Sequence, residues 1–158
     1  RAIEKGMKEL AAMLAKNARA RVDARSNNSE TPLHLAALHE DPYYVELLLA
    51  AKADTNVKND DGESPLMWAV LSGNTETARH LMLRGADLKA KDLKGNSLLH
   101  AAADGGNEEL VRLLLSLGAD AKEKNRYGKT AADVARVREH PEIVKLLEKF
   151  GSAPEGKR

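Results

Sequence analysis

The sequence predicts an all-α solenoid, a stack of short helix-turn-helix units with turns or β-hairpins at their tips. Three observations lead there. A stretch of similar residues returns every 33 positions along the 158-residue chain. Only five residues are aromatic, so a core drawn from 42% apolar residues has to be built from Leu, Ala, Val and Met, which suits thin helical layers better than a β-sandwich. Glycines recur at the same period and punctuate the apolar runs.

The repeat is legible residue by residue. Thr31-Pro32-Leu33-His34-Leu35-Ala36-Ala37 returns as Ser64-Pro65-Leu66-Met67-Trp68-Ala69-Val70 and as Ser97-Leu98-Leu99-His100-Ala101-Ala102-Ala103, then in decayed form as Thr130-Ala131-Ala132-Asp133-Val134-Ala135. Each unit reads as two helices. The Ser or Thr caps the first, and Pro32 and Pro65 suit its first turn. A break follows at Gly73 and at Gly105-Gly106, while Pro42 and Pro141 mark the restart in the other units. The second helix carries apolar residues at helical spacing, as in Tyr44, Val45, Leu47 and Leu48, or Leu110, Val111, Leu113 and Leu114. Gly85, Gly118 and Gly151 are expected to end it in a left-handed cap, and Lys52 holds the same slot at a cost of about 1 kcal/mol. Turn-rich stretches such as Asn59-Asp60-Asp61-Gly62 then form the tips.

These boundaries divide the chain into a partial N-terminal repeat or cap (1–30), repeats at 31–63, 64–96 and 97–129, a C-terminal capping repeat (130–151) and a loose tail (152–158). Two readings of the first segment stay open. One begins inside a repeat, with a helix break at Gly6. The other is a single helix with Ile3, Met7, Leu10 and Leu14 on one face. At the far end, Arg136 and Glu148 replace apolar residues of the inner units, as a polar capping face requires.

The 33-residue period and the Thr-Pro-Leu-His-x-Ala signature resemble the ankyrin-repeat family over nearly the whole chain. Met67 and Asp133 depart from the signature His, and Leu98 and Ala131 from its Pro. The resemblance implies an ankyrin stack that binds proteins through its tips and inner, first helices on a concave face. It gives His34 and His100 a structural role, tying a helix start to neighbouring turns.

Candidate chemistry is thin. Without cysteine there is no disulfide, thiolate zinc site or Cys nucleophile, and the bias is towards a reducing, intracellular setting, cytoplasmic or nuclear. The five histidines show no zinc-binding spacing. Asp54-x-Asn56-x-Lys58 fails as a calcium loop, because Asn59 and Pro65 stand where glycine and a bidentate acid belong. The expectation is therefore no enzyme, no cofactor and no metal. His80 reads as a partly buried core residue in the row of Leu47, Leu113 and Leu146, and Met7, Met13, Met67 and Met82 read as core. No apolar run approaches a membrane span. Residues 26–124 carry net charge −6 between basic ends, not the continuous basic stripe of a nucleic-acid binder.

What remains is a surface for a protein partner, on a chain expected to be monomeric. Its tip candidates are Asn27, Asn28 and Glu30; Asp60, Asp61 and Glu63; Leu93, Lys94 and Asn96; and Arg126, Tyr127 and Lys129. Inner-helix candidates are Leu38 and His39, Leu71 and Ser72, Asp104 and Arg138, with Trp68 either packed or serving as a contact anchor. An acidic patch is expected around Asp60, Asp61 and Glu63, and a basic one around Arg126, Lys129 and Arg138. Two other readings stay open: an engineered ankyrin scaffold without a native partner, and a regulatory segment of a larger protein.

Overall fold

The structure is a computed structural model that describes residues 22–152 together with Lys5, Gly6, Lys8 and Glu9. Those four N-terminal residues are helical and exposed; the choice between the two N-terminal readings, with Met7 and Met13, lies outside the described residues, as does the tail beyond Ser152. The chain divides into two compact units, Arg1–Leu88 and Lys89–Arg158.

Unit 1 contains α1 (Pro32–Ala36), α2 (Tyr43–Ala50), α3 (Pro65–Leu71) and α4 (Thr75–Leu83); unit 2 contains α5 (Leu98–Gly105), α6 (Glu108–Ser116), α7 (Ala131–Val137) and α8 (Pro141–Gly151). The same pairing operates in each. In unit 1, α1 packs on α2 and α3 on α4, while α1 also lies against α3 and α2 against α4. In unit 2, α5 pairs with α6 and α7 with α8, with α5 against α7 and α6 against α8. Each unit is thus a double layer, first helices on first helices and second on second.

The cause is written in the short side chains. Ala36, Ala37, Ala69 and Val70 in unit 1, and Ala102, Ala103, Ala131 and Ala135 in unit 2, are essentially inaccessible to solvent. Their size lets adjacent helices approach closely. Leu33, Leu48, Leu66 and Leu81, then Leu98, Leu99, Leu110, Leu114 and Leu147, fill the space between the layers. Polar ties reinforce the stack in unit 1: the buried Thr77 hydroxyl donates to the His39 carbonyl (2.6 Å), and Asn74 Nδ2 donates to the Ala37 carbonyl (2.9 Å).

Helix starts follow the expected hydroxyls. Ser64 Oγ accepts from the Met67 amide, Ser97 Oγ from His100 and Thr130 Oγ1 from Asp133. The ends differ in one place. Gly85 (φ 88°) and Gly118 (φ 91°) adopt the left-handed cap, but Gly151 is the last residue of α8 and Ser152 caps it in a right-handed conformation. A left-handed cap is usually held by an apolar residue that packs back after the glycine. Ala86 is buried after Gly85 and Ala119 half-buried after Gly118, whereas exposed Ser152 follows Gly151.

Among the described residues, three that are not glycine have positive φ, and each occupies a slot that is glycine in other repeats. Ser29 (φ 59°) corresponds to Gly62, Gly95 and Gly128; Lys52 (φ 69°) to Gly85 and Gly118; Glu139 (φ 59°) to Gly73 and Gly106. The fold sets the conformation and the sequence complies under strain. Lys52 is exposed, and its role is confined to the backbone bonds Lys52 N–H to Leu49 and Ala53 N–H to Leu48 that close α2. Replacing Lys52 with Gly is therefore expected to raise stability by about 1 kcal/mol, as read by denaturant unfolding.

The expectations for the histidines, the methionines and the C-terminal face meet mixed outcomes. His80 is partly buried as expected, but a carboxylate faces it: its side chain is 36% exposed and Nδ1 meets Glu46 Oε1 at 2.8 Å, with Arg84 on the other Glu46 oxygen at 2.6 Å. Its row varies in depth, Leu146 being buried but Leu47 and Leu113 only half-buried, and at His80 a polar partner is within reach of solvent. The bonds from Arg84 and then His80 hold the Glu46 carboxyl below its ordinary value. Met67 is buried and Met82 half-buried. At the C-terminal side, exposed Arg136 and Glu148 pair with each other at 2.7 Å, though Val137 is 80% exposed beside them.

Candidate functional site

Four five-residue turns carry the tip candidates, and all four are built alike. In the turn 59–63, Asn59 N–H donates to the Glu63 carbonyl and Gly62 N–H to the Asn59 carbonyl, both at 3.0 Å. Asn59 Oδ1 then accepts from the amides of Asp61 (3.0 Å) and Glu63 (2.9 Å). Asp92 does the same for Lys94 and Asn96, and Asn125 for Tyr127 and Lys129. Ser26 Oγ replaces the carboxamide in the first turn, accepting from Asn28 and Glu30 at 3.2 Å. Position one thus supplies the acceptor and position four the positive φ.

Neighbouring turns within a unit are joined by backbone. Asp60 N–H donates to the Asn28 carbonyl in unit 1, and Arg126 N–H to the Lys94 carbonyl in unit 2, each at 3.0 Å. The turn frame therefore depends on positions one and four and on main-chain bonds. The side chains at positions two and three have no part in it, and all of them are exposed: Asn27, Asn28, Asp60, Asp61, Leu93, Lys94, Arg126 and Tyr127. Lys129 at position five is also exposed.

Histidine anchors the frame to the helices. The Thr31 amide donates to His34 Nδ1 at 3.1 Å, which makes Nδ1 the acceptor and leaves the proton on Nε2, 2.8 Å from the Glu63 carbonyl. One ring thus caps its own helix and holds the turn that precedes the next one. His100 repeats this with the Ser97 amide (3.2 Å) and the Lys129 carbonyl (2.9 Å). At Asp133 the carboxylate caps Thr130 N–H at 2.9 Å, and that bond holds its carboxyl below the ordinary value. Met67 has no donor to offer.

Burial depresses the His34 pKa from its ordinary 6.5, with the Glu63 carbonyl bond partly opposing. The unfolded chain therefore binds more protons than the folded one as pH falls below 6.5. The stability tied to this ring is full above 6.5 and is lost as pH drops towards its lowered folded value. Denaturant unfolding through this window is expected to show falling stability with acidification. The His34→Gln variant, which cannot titrate, is expected to flatten that slope.

Several other candidates have structural duties. Trp68 is half-buried, donates Nε1 to Glu63 Oε2 at 2.7 Å and meets the His34 ring edge-on at 5.2 Å, so the Glu63 carboxylate is engaged with it. Asn96 is half-buried between Asp92 Oδ2 and Asn125 Nδ2, each at 2.9 Å. Glu30 is half-buried and accepts from the Ser26 hydroxyl. Arg138, expected in the basic patch, pairs with half-buried Asp104 at 2.6 Å and is neutralised there. Leu38 and Ser72 are exposed, and Leu71 is half-buried. His39 is half-buried with its ring 5.2 Å from Tyr44, and its Nε2 is buried without a partner. Tyr43 is 58% exposed against Tyr44.

The position-one acceptors Asn59, Asp92 and Asn125 were not among the sequence candidates. The signal was present: an Asn or Asp three residues before each turn glycine, at the repeat period. Among the described residues, no group of three or more His, Asp or Glu side chains is arranged to hold a metal ion, and no helix is long and apolar enough to cross a membrane.

A search of curated proteins returned no match. The family model described as ankyrin repeats (3 copies) matches residues 1–92 and 81–155. With those spans covering nearly the whole chain, and the capped double layers, turn frames and tethering histidines in register with them, this chain belongs to the ankyrin-repeat family.

Proposed function

We propose that the chain is a non-catalytic protein-binding module whose partner rests on the turn tips and the adjoining ends of the first helices. Ankyrin repeats in general are protein–protein interaction modules and typically non-enzymatic. The observation that carries the finer reading is the division of labour in the turns. Positions one and four hold the backbone, which leaves the exposed side chains at positions two and three without a folding duty. Those side chains include Leu93 and Tyr127, 58% and 68% exposed, which add apolar area to the charged turns.

Each unit has its own buried core, so the binding form is taken to be a monomer in an intracellular setting, consistent with a chain that lacks cysteine. The strained residues Ser29, Lys52 and Glu139 weigh against an engineered consensus scaffold, which would place glycine in all three slots.

Photo-crosslinking tests the placement. Benzoylphenylalanine introduced at Leu93 or Tyr127 is expected to trap partner proteins from a lysate. At Leu117, a 50% exposed residue at the end of α6, it is expected to trap none of them. Trapping at Leu117, with none at the tips, would move the site to the second helices.

A further inference from the structure

We infer that the two turns of unit 2 dock an acidic peptide segment bearing apolar side chains; this inference rests on the tip-binding reading above. Turns 92–96 and 125–129 contain three cations, Lys94, Arg126 and Lys129, and one acid, Asp92. All three cations are exposed. No ion pair engages them among the described residues, whereas the other cations of unit 2 include several that do pair: Lys91 with Glu123, Arg112 with Glu108, Arg136 with Glu148 and Arg138 with Asp104.

The one acid offsets only one of the three cations. Asp92 Oδ1 accepts from the Lys94 and Asn96 amides, and Oδ2 from Asn96 Nδ2, so its carboxylate is occupied inside the turn. The backbone bond from Arg126 N–H to the Lys94 carbonyl sets the two turns side by side. Gly95 leaves room for the Arg126 stem, whose Cγ lies 3.1 Å from where a Cβ on residue 95 would stand. Leu93 and Tyr127 are the exposed apolar groups on the same pair of turns. The surface therefore offers unpaired positive charge interleaved with a leucine and a tyrosine, the complement of a chain that alternates carboxylates with apolar side chains.

Charge also argues against a nucleic acid as the occupant. The turns of unit 1, 26–30 and 59–63, hold four acids and no cation, and residues 26–124 carry net charge −6, so the chain lacks the continuous basic surface that a nucleic acid needs. A short acidic segment need engage only the turns of unit 2.

The test is fluorescence anisotropy with a labelled synthetic peptide alternating Glu and Leu, beside Gln–Leu and Glu–Ser versions and a labelled oligothymidine. The Glu–Leu peptide is expected to bind the intact chain, with affinity falling as salt is raised. Removing its charge or its leucines is expected to weaken binding roughly tenfold or more. The variant Lys94→Glu, Arg126→Glu, Lys129→Glu and the variant Leu93→Ser, Tyr127→Ser are expected to lose it by a similar factor while keeping the wild-type circular dichroism spectrum. Asp60→Lys with Asp61→Lys in unit 1 is expected to retain it.

Absence of Glu–Leu binding, equal loss in the unit 1 variant, or tighter binding of oligothymidine would each overturn the inference. If the peptide fails while photo-crosslinking at Leu93 and Tyr127 still traps partners, only the acidic-peptide inference falls. If crosslinking at the tips also fails, the tip-binding reading falls with it.

Discussion

Replacing His100 with Ala is expected to destabilise the protein by about 3 kcal/mol or more, with the loss centred on unit 2. The ring is 2% exposed, so its removal leaves a cavity in a packed layer. It also leaves the Ser97 amide and the Lys129 carbonyl without their ring partner. Each part-buried bond lost costs roughly 0.5–1.5 kcal/mol. Leu at this position would fill the volume but strand the same two groups, so His100→Leu is expected to recover only part of the loss. Denaturant unfolding of the three proteins separates the packing contribution from the hydrogen-bond contribution. A His100→Leu variant as stable as the wild type would refute the tether.

Replacing Asn125 with Ala is expected to cost roughly 1–3 kcal/mol, although its neighbours in the turn are solvent-exposed. Its Oδ1 serves the Tyr127 and Lys129 amides, and its Nδ2 donates to Asn96 Oδ1. The three bonds vanish together. Asn125→Asp is expected to be milder, because Asp92 performs the two amide contacts with a carboxylate at the equivalent position. By contrast Tyr127→Ser, two residues along, changes a side chain with no folding duty and is expected to leave stability within about 0.5 kcal/mol of wild type. Unfolding curves for Asn125→Ala and Tyr127→Ser compare a frame residue with a presented one directly.

Much of the fold was legible because ankyrin repeats put backbone requirements into fixed residues. Ser64, Ser97 and Thr130 could be read as caps, since a hydroxyl before an apolar run has few other uses there. The positive φ at Lys52 followed from its alignment with Gly85 and Gly118. Gly151 misled because a glycine permits a left-handed cap without compelling one; the packing of the next residue decides, and Ser152 has none to offer. His80 was legible only in part, since periodicity identifies a row of a helix but not the polar partner that meets a residue in it.

The candidate surface was legible by position more than by chemistry. Leu93, Lys94, Arg126 and Tyr127 stand exposed as expected. Trp68, Asn96 and Arg138 had the right types for contact residues, yet each is engaged by a partner distant enough in the turn or helix that spacing alone did not reveal it: Glu63, Asn125 and Asp104. Pairing of side chains across a repeat depends on rotamers, which a linear pattern does not encode.

The central claim is that the turn frame holds the fold while the presented side chains hold the partner. A lysate capture followed by mass spectrometry tests it most directly. The intact chain is compared with a variant carrying Asp60→Lys, Leu93→Ser, Arg126→Glu and Tyr127→Ser, the two matched beforehand for melting temperature. The account predicts proteins captured by the intact chain and lost by the variant. The same proteins captured equally by both would contradict it.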